Sequence, residues 1–408
     1  MKTMGKGKAR VLAALFAAII AGAWPAWFLA KGHLDTTNYE KRELSPFPVI
    51  NRGFPAAFEQ YIDDRMPFRN QLIYANSLAD YRLFQTDTTG KVIVGKEGWL
   101  FLRDSSDGSS MTDYKGENLY SEAELEEFAI NLQKTKNALA AAGAEFVVYI
   151  APDKERMYPE YLPDCYGEPA EMFIARQVMD YVRSHTDVKI IWGMEDLMAA
   201  KTGGTGGASA AAAAAPGANA ETAGNGTTAP GANAETAETG TRAPAELLYF
   251  PADTHWNHLG AYIGARTLLK ELGIAIPSPD APEMKKKHYP NEVGDLAMLV
   301  HLADVFGLQE DIRVTGYDTH GMTEDSWDFA TAFRYHTENG DPRKLMMIRD
   351  SFGTAWSDVL GSQFKESVMF HRDYYQPEMF YEEMPDIVVY ECVERQLPAL
   401  KDYNTLKR

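Results

Sequence analysis

Two segments of this chain carry side chains whose types and spacing suit covalent chemistry. Phe250-Pro-Ala-Asp253-Thr-His255-Trp256-Asn257-His258 sets an aspartate two residues before a histidine. Such an aspartate can accept the Nδ1 proton, fix the tautomer and leave Nε2 as a base. The plainer reading is a helix start capped by Asp253 or Asn257, with His255 a satisfied interior group. Leu345-Met-Met-Ile-Arg349-Asp350-Ser351-Phe352-Gly353 reads as an apolar strand running into a helix start. A serine at the carboxyl end of a strand can present Oγ to a carbonyl carbon while nearby N–H groups receive the oxyanion. Its plainer reading is a helix N-cap. Together, Asp253, His255 and Ser351 are the minimum for acyl transfer through a serine ester. Their order along the chain is immaterial, because geometry defines such a set.

Three further readings accompany these. In Ile150-Ala-Pro-Asp153-Lys154-Glu-Arg156-Met-Tyr158, a strand end hands over to Lys154, Arg156 and Tyr158, which either face the same crevice or form an ordinary charged loop. In Tyr390-Glu-Cys-Val-Glu394-Arg395, Arg395 either positions a substrate or pairs with a structural carboxylate. Asp253, His255 and His258 form D-x-H-x-x-H, three plausible metal ligands in six residues. However, the histidines miss the usual i, i+4 spacing and no distant carboxylate is indicated, so neither a metal nor a cofactor is expected.

The elements that must position these residues are legible as patterns. Lys91–Gly95 and Trp99–Arg103 predict a short hairpin. Ser121-Glu-Ala-Glu124 is a capping box that opens a helix to about Ala142, with Gly143 placed to end it. Strands are expected at Glu145–Ala151, Val188–Trp192, Leu247–Phe250, Lys344–Arg349, Ser367–His371 and Asp386–Cys392. Helical patterns fall at 168–184, 257–273 and about 353–362. Alternating buried strands and helices predict an α/β fold, a mainly parallel sheet covered on both faces. Residues 201–244 break the pattern. They hold polyalanine, many Gly, Thr and Asn, no large apolar residue, and Ala-Pro-Gly-Ala-Asn-Ala-Glu-Thr-Ala twice. That composition predicts a disordered insertion within a domain spanning 91–400.

The 408 residues carry 40 Lys+Arg against 58 Asp+Glu, a net charge of −18. A surface this acidic argues against nucleic acid, and against a polyanion unless a basic patch exists. Two cysteines, Cys165 and Cys392, allow one disulfide at most. Residues 1–30 hold Lys2, Lys6, Lys8 and Arg10 ahead of an uncharged run, Val11–Ala30. Twenty such residues can just span a bilayer with the basic flank inside, so the rest of the chain is expected outside the cytoplasm. A cleaved signal peptide ending near Ala21-Gly-Ala23 is the rival, and it too exports the chain. Residues 31–90, with Pro46, Pro48 and Pro55, read as a stem and helical lead-in.

The hairpin Val94-Gly-Lys-Glu-Gly98-Trp99-Leu-Phe-Leu102, the segment Pro152-Asp-Lys-Glu-Arg156-Met-Tyr-Pro159, the motif Asp253-Thr-His-Trp256-Asn257 and the serine in Arg349-Asp-Ser351-Phe352 resemble the AlgX/AlgJ-like and DHHW-type SGNH-hydrolase-like proteins. The resemblance runs from about 40 to 400 outside the insertion. It implies an SGNH-like α/β/α core, circularly permuted so that the Asp/His block precedes the serine block. It maps Asp253, His255 and Ser351 onto the family's triad. It further implies O-acetylation of an exported or cell-surface polysaccharide, with a multi-spanning membrane acyltransferase supplying acetyl groups. Trp256, Asn257, Arg349, Lys154, Arg156, Tyr158 and Arg395 are then candidates for substrate contact, Trp256 as a sugar-stacking face. The Arg-Asp-Ser-Phe context departs from the Gly-Thr-Ser form of alginate-acting members, which leaves the polymer open. The short stretch after Ser351 is expected to leave no room for the carbohydrate module some members append. A carbohydrate esterase with the same triad and a non-catalytic assembly protein on the same fold are the alternatives.

Overall fold

The structure, a computed structural model, describes residues 6–34, 43–87, 89–105, 108–203, 246–401, 403 and 405–406. The expected insertion lies outside the described residues from 204 onward, and so does part of the stem, 35–42. Lys201 and Thr202 still belong to the helix Met194–Thr202.

Seven strands form the central sheet: β1 (Glu145–Ala151), β2 (Lys189–Trp192), β3 (Thr323–Trp327), β4 (Ala332–His336), β5 (Asp341–Arg349), β6 (Phe364–His371) and β7 (Ile387–Val393). Their order is β2-β1-β7-β5-β6-β4-β3. Neighbours from β2 through β6 run parallel, and β4 and β3 add an antiparallel edge. The parallel strands are apolar runs because both faces are covered. Val147, Tyr149, Leu345, Met347 and Val389 pack with the helix α3 (His258–Glu271) on one face. Phe146, Val148, Met346, Ile348 and Val388 pack with α1 (Glu122–Ala141) and α2 (Ile174–His185) on the other. This alternation makes the three-layer α/β/α architecture of SGNH-hydrolase-like proteins.

The capping box forms as read. Ser121 N–H donates to Glu124 Oε2 at 2.8 Å and Glu124 N–H to Ser121 Oγ at 3.4 Å. Such a cap stabilises a helix by about 1 kcal/mol. The expected hairpin forms as Val92–Val94 against Leu100–Leu102, outside the main sheet. Leu100 N–H donates to Pro251 O, which docks the hairpin on the Asp253 segment.

Several expectations are corrected. Leu247–Phe250 is not a sheet strand. It makes one bridge, Tyr249 to Trp256, because Pro251 has no N–H to continue a ladder. The helix expected from 168 starts at Ile174, after Phe173, whose backbone is extended and whose buried ring packs on Trp192. The helix expected near 353–362 is a 3₁₀ turn, Phe352–Trp356, followed by Ser357–Gly361. β3, β4 and the pair Lys285–Val293 with Leu308–Thr315 had not been expected. β3 is exposed at every position and offers no apolar alternation to read.

Arg10–His33 is the one segment among the described residues long and apolar enough to cross a membrane, by length and composition. Cys165 is exposed, Cys392 is buried, and both are free thiols.

Candidate active site

The serine segment is built at the end of β5. Arg349 closes the strand, and Asp350 folds the turn: its Oδ1 accepts from Phe352 N–H at 2.8 Å and its Oδ2 from Val393 N–H at 2.8 Å. Glu391, fully buried on β7, accepts from Asp350 N–H at 3.2 Å and Gly353 N–H at 3.1 Å. Burial, with the Asp350 charge adding to it, pushes the Glu391 carboxyl well above its ordinary range. Gly353 is required by this contact, because a Cβ there would sit 2.6 Å from Glu391 Oε2. The N–H groups of Phe352 and Gly353 are therefore consumed. The Ser351 N–H makes no hydrogen bond among the described residues, so it keeps its capacity to donate.

The histidine segment is a loop held from beneath. Lys154 is 1% exposed, and its Nζ donates to the carbonyls of Phe250, Pro251 and Asp253 at 3.2, 3.0 and 2.5 Å. Asn257 caps α3, its Oδ1 accepting from Gly260 N–H at 2.9 Å while its Nδ2 donates to Leu247 O. Between these two clamps lie Asp253 and His255.

The segments meet side by side. His255 Nε2 lies 2.8 Å from Ser351 Oγ, and His255 Nδ1 lies 2.7 Å from Asp253 Oδ1. Asp253 Oδ1 also accepts His255 N–H, and its Oδ2 accepts Asp295 N–H at 2.7 Å. Burial alone would raise the Asp253 carboxyl. The His255 hydrogen bond and charge, with the two backbone donors, instead hold it at about 2. Burial alone would lower His255, but Asp253 and then Asp295 raise it above the ordinary imidazole value. The Phe352 ring packs 4.9 Å from the imidazole and limits its swing. A cleft of about 560 Å³ opens over Ser351, His255 and Asp253. A polarised Oγ, an oriented base and an unengaged N–H in a cleft are the parts needed to form and resolve an acyl-serine.

The remaining sequence candidates are brought close to the site, but beneath its surface. Trp256 borders the cleft but is only 1% exposed and packed against Phe352 and Trp356, with Nε1–H donating to Phe352 O, so it offers no open face for stacking a sugar. Arg349 is fully buried and donates to Asp350 O, Thr354 Oγ1 and Phe329 O. Arg156 pairs with Glu394 at 2.8 Å, and Arg395 with Asp153 at 2.5 Å. Tyr158 accepts Leu248 N–H and packs on Trp99. Lys154, Arg156, Tyr158, Asn257 and Arg395 thus frame the site and do not line the cleft. The two open readings, a charged loop and a lone arginine, resolve into one buried ionic layer. Long charged side chains in an otherwise apolar layer need such partners.

His258 is not a partner of Asp253 and His255 in a ligand set. Its Nδ1 is bound to Asp311 Oδ2 at 2.5 Å. The side-chain atoms of Asp253, His255 and Asp295 do converge within 4.8 Å, but Asp253 Oδ1 is bonded to His255 Nδ1 and the Asp295 carboxylate accepts from Thr254.

Three residues escaped sequence reasoning. Asp295 holds Thr254 through its N–H and Oγ1 at 2.8 and 2.5 Å and stands 3.6 Å from His255 Nδ1. Nothing marks it in the sequence. Asp311 is likewise unmarked. Glu391 had a signal, a lone carboxylate inside the apolar run Ile387–Val393.

Residues 92–187 match the family described as "SGNH hydrolase-like domain, acetyltransferase AlgX". "Probable alginate O-acetylase AlgJ" of Azotobacter vinelandii is 23% identical over 366 residues, 87% of this chain and 82% of that protein. The protein of the same name from Pseudomonas syringae pv. tomato is 29% identical over 124 residues, 30% of this chain, and the match spans only 29% of its length. A DHHW family protein from Eubacterium siraeum aligns in structure over 77% of this chain and 96% of its own, at 15% identity and a TM-score of 0.47. The family match covers the hairpin read in the sequence, and the chain is similar to AlgX and AlgJ proteins, with an SGNH-hydrolase-like fold.

Proposed function

We propose that the chain is an extracytoplasmic polysaccharide O-acetyltransferase working through an acetyl-Ser351 intermediate. The observation that carries the reading is the continuous set Asp253 Oδ1, His255 Nδ1, His255 Nε2 and Ser351 Oγ, at 2.7 and 2.8 Å. The similarity to alginate O-acetylases adds acetyl as the group moved and a polysaccharide as its acceptor.

Ser351 Oγ attacks the acetyl carbonyl of an activated acetyl donor, and its proton passes to His255 Nε2. The oxyanion faces the Ser351 N–H. The tetrahedral intermediate collapses, the donor's leaving group departs with the proton from Nε2, and acetyl-Ser351 remains. A sugar hydroxyl then attacks the ester carbonyl and gives its proton to Nε2. The second intermediate releases the O-acetyl sugar, and Oγ regains the proton. Asp253 keeps the ring in the tautomer both halves need. The N-terminal apolar segment would hold the domain outside the cytoplasm, beside a multi-spanning membrane protein as acetyl source.

The test is acetyl transfer from an activated acetyl ester to a panel of oligosaccharides, by wild type and Ser351→Ala. Sugar acetylation by wild type and its loss in the variant, with the fold kept, is expected. Release of acetate to water with every acceptor would point to an esterase. Equal transfer by Ser351→Ala would sink the mechanism.

A further inference from the structure

The cleft over Ser351 has one wall unlike the rest of the site. Trp327, at the end of β3, and Phe329, in the turn that follows, are 49% and 47% exposed, and both line the cleft with Ser351. The neighbouring Trp256 and Tyr158 are buried. The wall is firmly backed. The Trp327 ring stacks on buried Phe333, centroids 4.8 Å apart at 14°. The Arg349 guanidinium lies 4.1 Å from the Phe333 centroid and donates to Phe329 O at 2.9 Å. The residue that ends the serine strand therefore also anchors the aromatic turn. Two half-exposed rings on a rigid support beside a nucleophile form an apolar face that suits the C–H face of a pyranose.

The charge lining the same cleft is acidic. Glu292 and Asp358 face it beside the Asp253–His255 pair, against the single guanidinium of Arg313. No lysine lines it among the described residues, and His258 is held by Asp311. A polymer with a carboxylate on every sugar would bring like charge into that space, and the chain's net charge of −18 opposes its approach.

Resting on the acyl-transfer reading above, we infer that the acceptor is an uncharged polysaccharide, bound with a sugar ring stacked on Trp327 and Phe329, and not a polyuronate. The acceptor preference then differs from the alginate named for the relatives, and the Trp327 wall performs the stacking role that the sequence had suggested for Trp256.

The experiment titrates the full chain in detergent, without acetyl donor, by calorimetry. The probes are hexasaccharides of β-1,4-glucose, β-1,4-mannose and β-1,6-N-acetylglucosamine, and a mannuronate hexasaccharide. At least one neutral probe is expected to bind about tenfold tighter than the mannuronate probe. Trp327→Ala should weaken that binding about fivefold, Trp327→Tyr should retain most of it, and Phe329→Ala should weaken it less than Trp327→Ala. Glu292→Gln combined with Asp358→Asn should tighten the mannuronate probe. Acetylation of Ser351 by an activated ester, read on the wild-type chain in parallel, tests the acyl-transfer reading separately. Mannuronate binding as tight as the best neutral probe, no neutral binding, or unchanged binding by Trp327→Ala would overturn the inference. Neutral-sugar binding that depends on Trp327, with no acetylation of Ser351, would overturn the acyl-transfer reading and leave the sugar site standing.

Discussion

Two histidines three residues apart make the same first contact and meet different ends. His255 Nδ1 pairs with Asp253 at 2.7 Å, and His258 Nδ1 pairs with Asp311 at 2.5 Å. Burial would raise both carboxyls, yet the histidine partners bring each down to about 2. The difference lies at the far nitrogen. His255 Nε2 meets Ser351 Oγ at 2.8 Å. No hydroxyl or thiol bonds His258 Nε2 among the described residues. Asp311 is instead a structural hub. It also accepts His258 N–H at 3.0 Å and the Tyr289 hydroxyl at 2.7 Å, pinning the start of α3 to the strand Leu308–Thr315. A histidine–carboxylate pair is thus not a catalytic signature. The third atom decides, and only the fold supplies it.

The comparison breaks most visibly at Ser351. Ser351→Ala should lower acetyl transfer by about 10⁴-fold, read as initial rate against an activated acetyl ester, with the circular dichroism spectrum kept. Asp253→Asn should cost up to about 10⁴-fold by the same assay, because the amide favours the wrong tautomer. Lys154→Met should cost about tenfold, since three carbonyls lose their donor and the loop bearing Asp253 loosens. It should also lower unfolding stability by about 1–3 kcal/mol in a denaturant titration. His258→Gln should change transfer less than about threefold while lowering the midpoint of thermal unfolding, which separates the structural pair from the catalytic one.

pH sharpens the contrast further. The proposed mechanism needs neutral His255, so on that proposal the rate should climb as pH rises through its raised pKa. The charged pair with Asp253 behaves oppositely. Its stabilisation is full below His255's unfolded value, about 6.5, and is lost as pH rises through the higher folded value. At the acid end, the Asp253 contribution is present above its unfolded value, about 4, and fades as pH falls toward about 2. The gap in thermal midpoint between wild type and His255→Gln should therefore shrink over the pH range in which the rate grows.

How much of this was readable follows from what each residue depends on. Glu145–Ala151 and the Ser121 capping box are local patterns, and they stand where the sequence places them. Asp253, His255 and Ser351 were legible as candidates because a D-x-H and a strand-end serine are short motifs, the resemblance joined them, and the structure brings the three side chains together. Lys154 and Arg395 were visible as residues but not in their roles, since pairing partners up to 242 positions away decide those. Trp327 was hidden for another reason. Its strand is exposed throughout and carries no periodic signal, so neither the strand nor its cleft wall could be foreseen.

The most direct test of the central claim is peptide mass mapping of the full chain after brief exposure to an activated acetyl ester. Wild type and His258→Gln should each carry one acetyl group on Ser351, and His255→Ala should carry none. Acetylation of Ser351 that persists without His255, or that settles on another residue in wild type, would contradict the account.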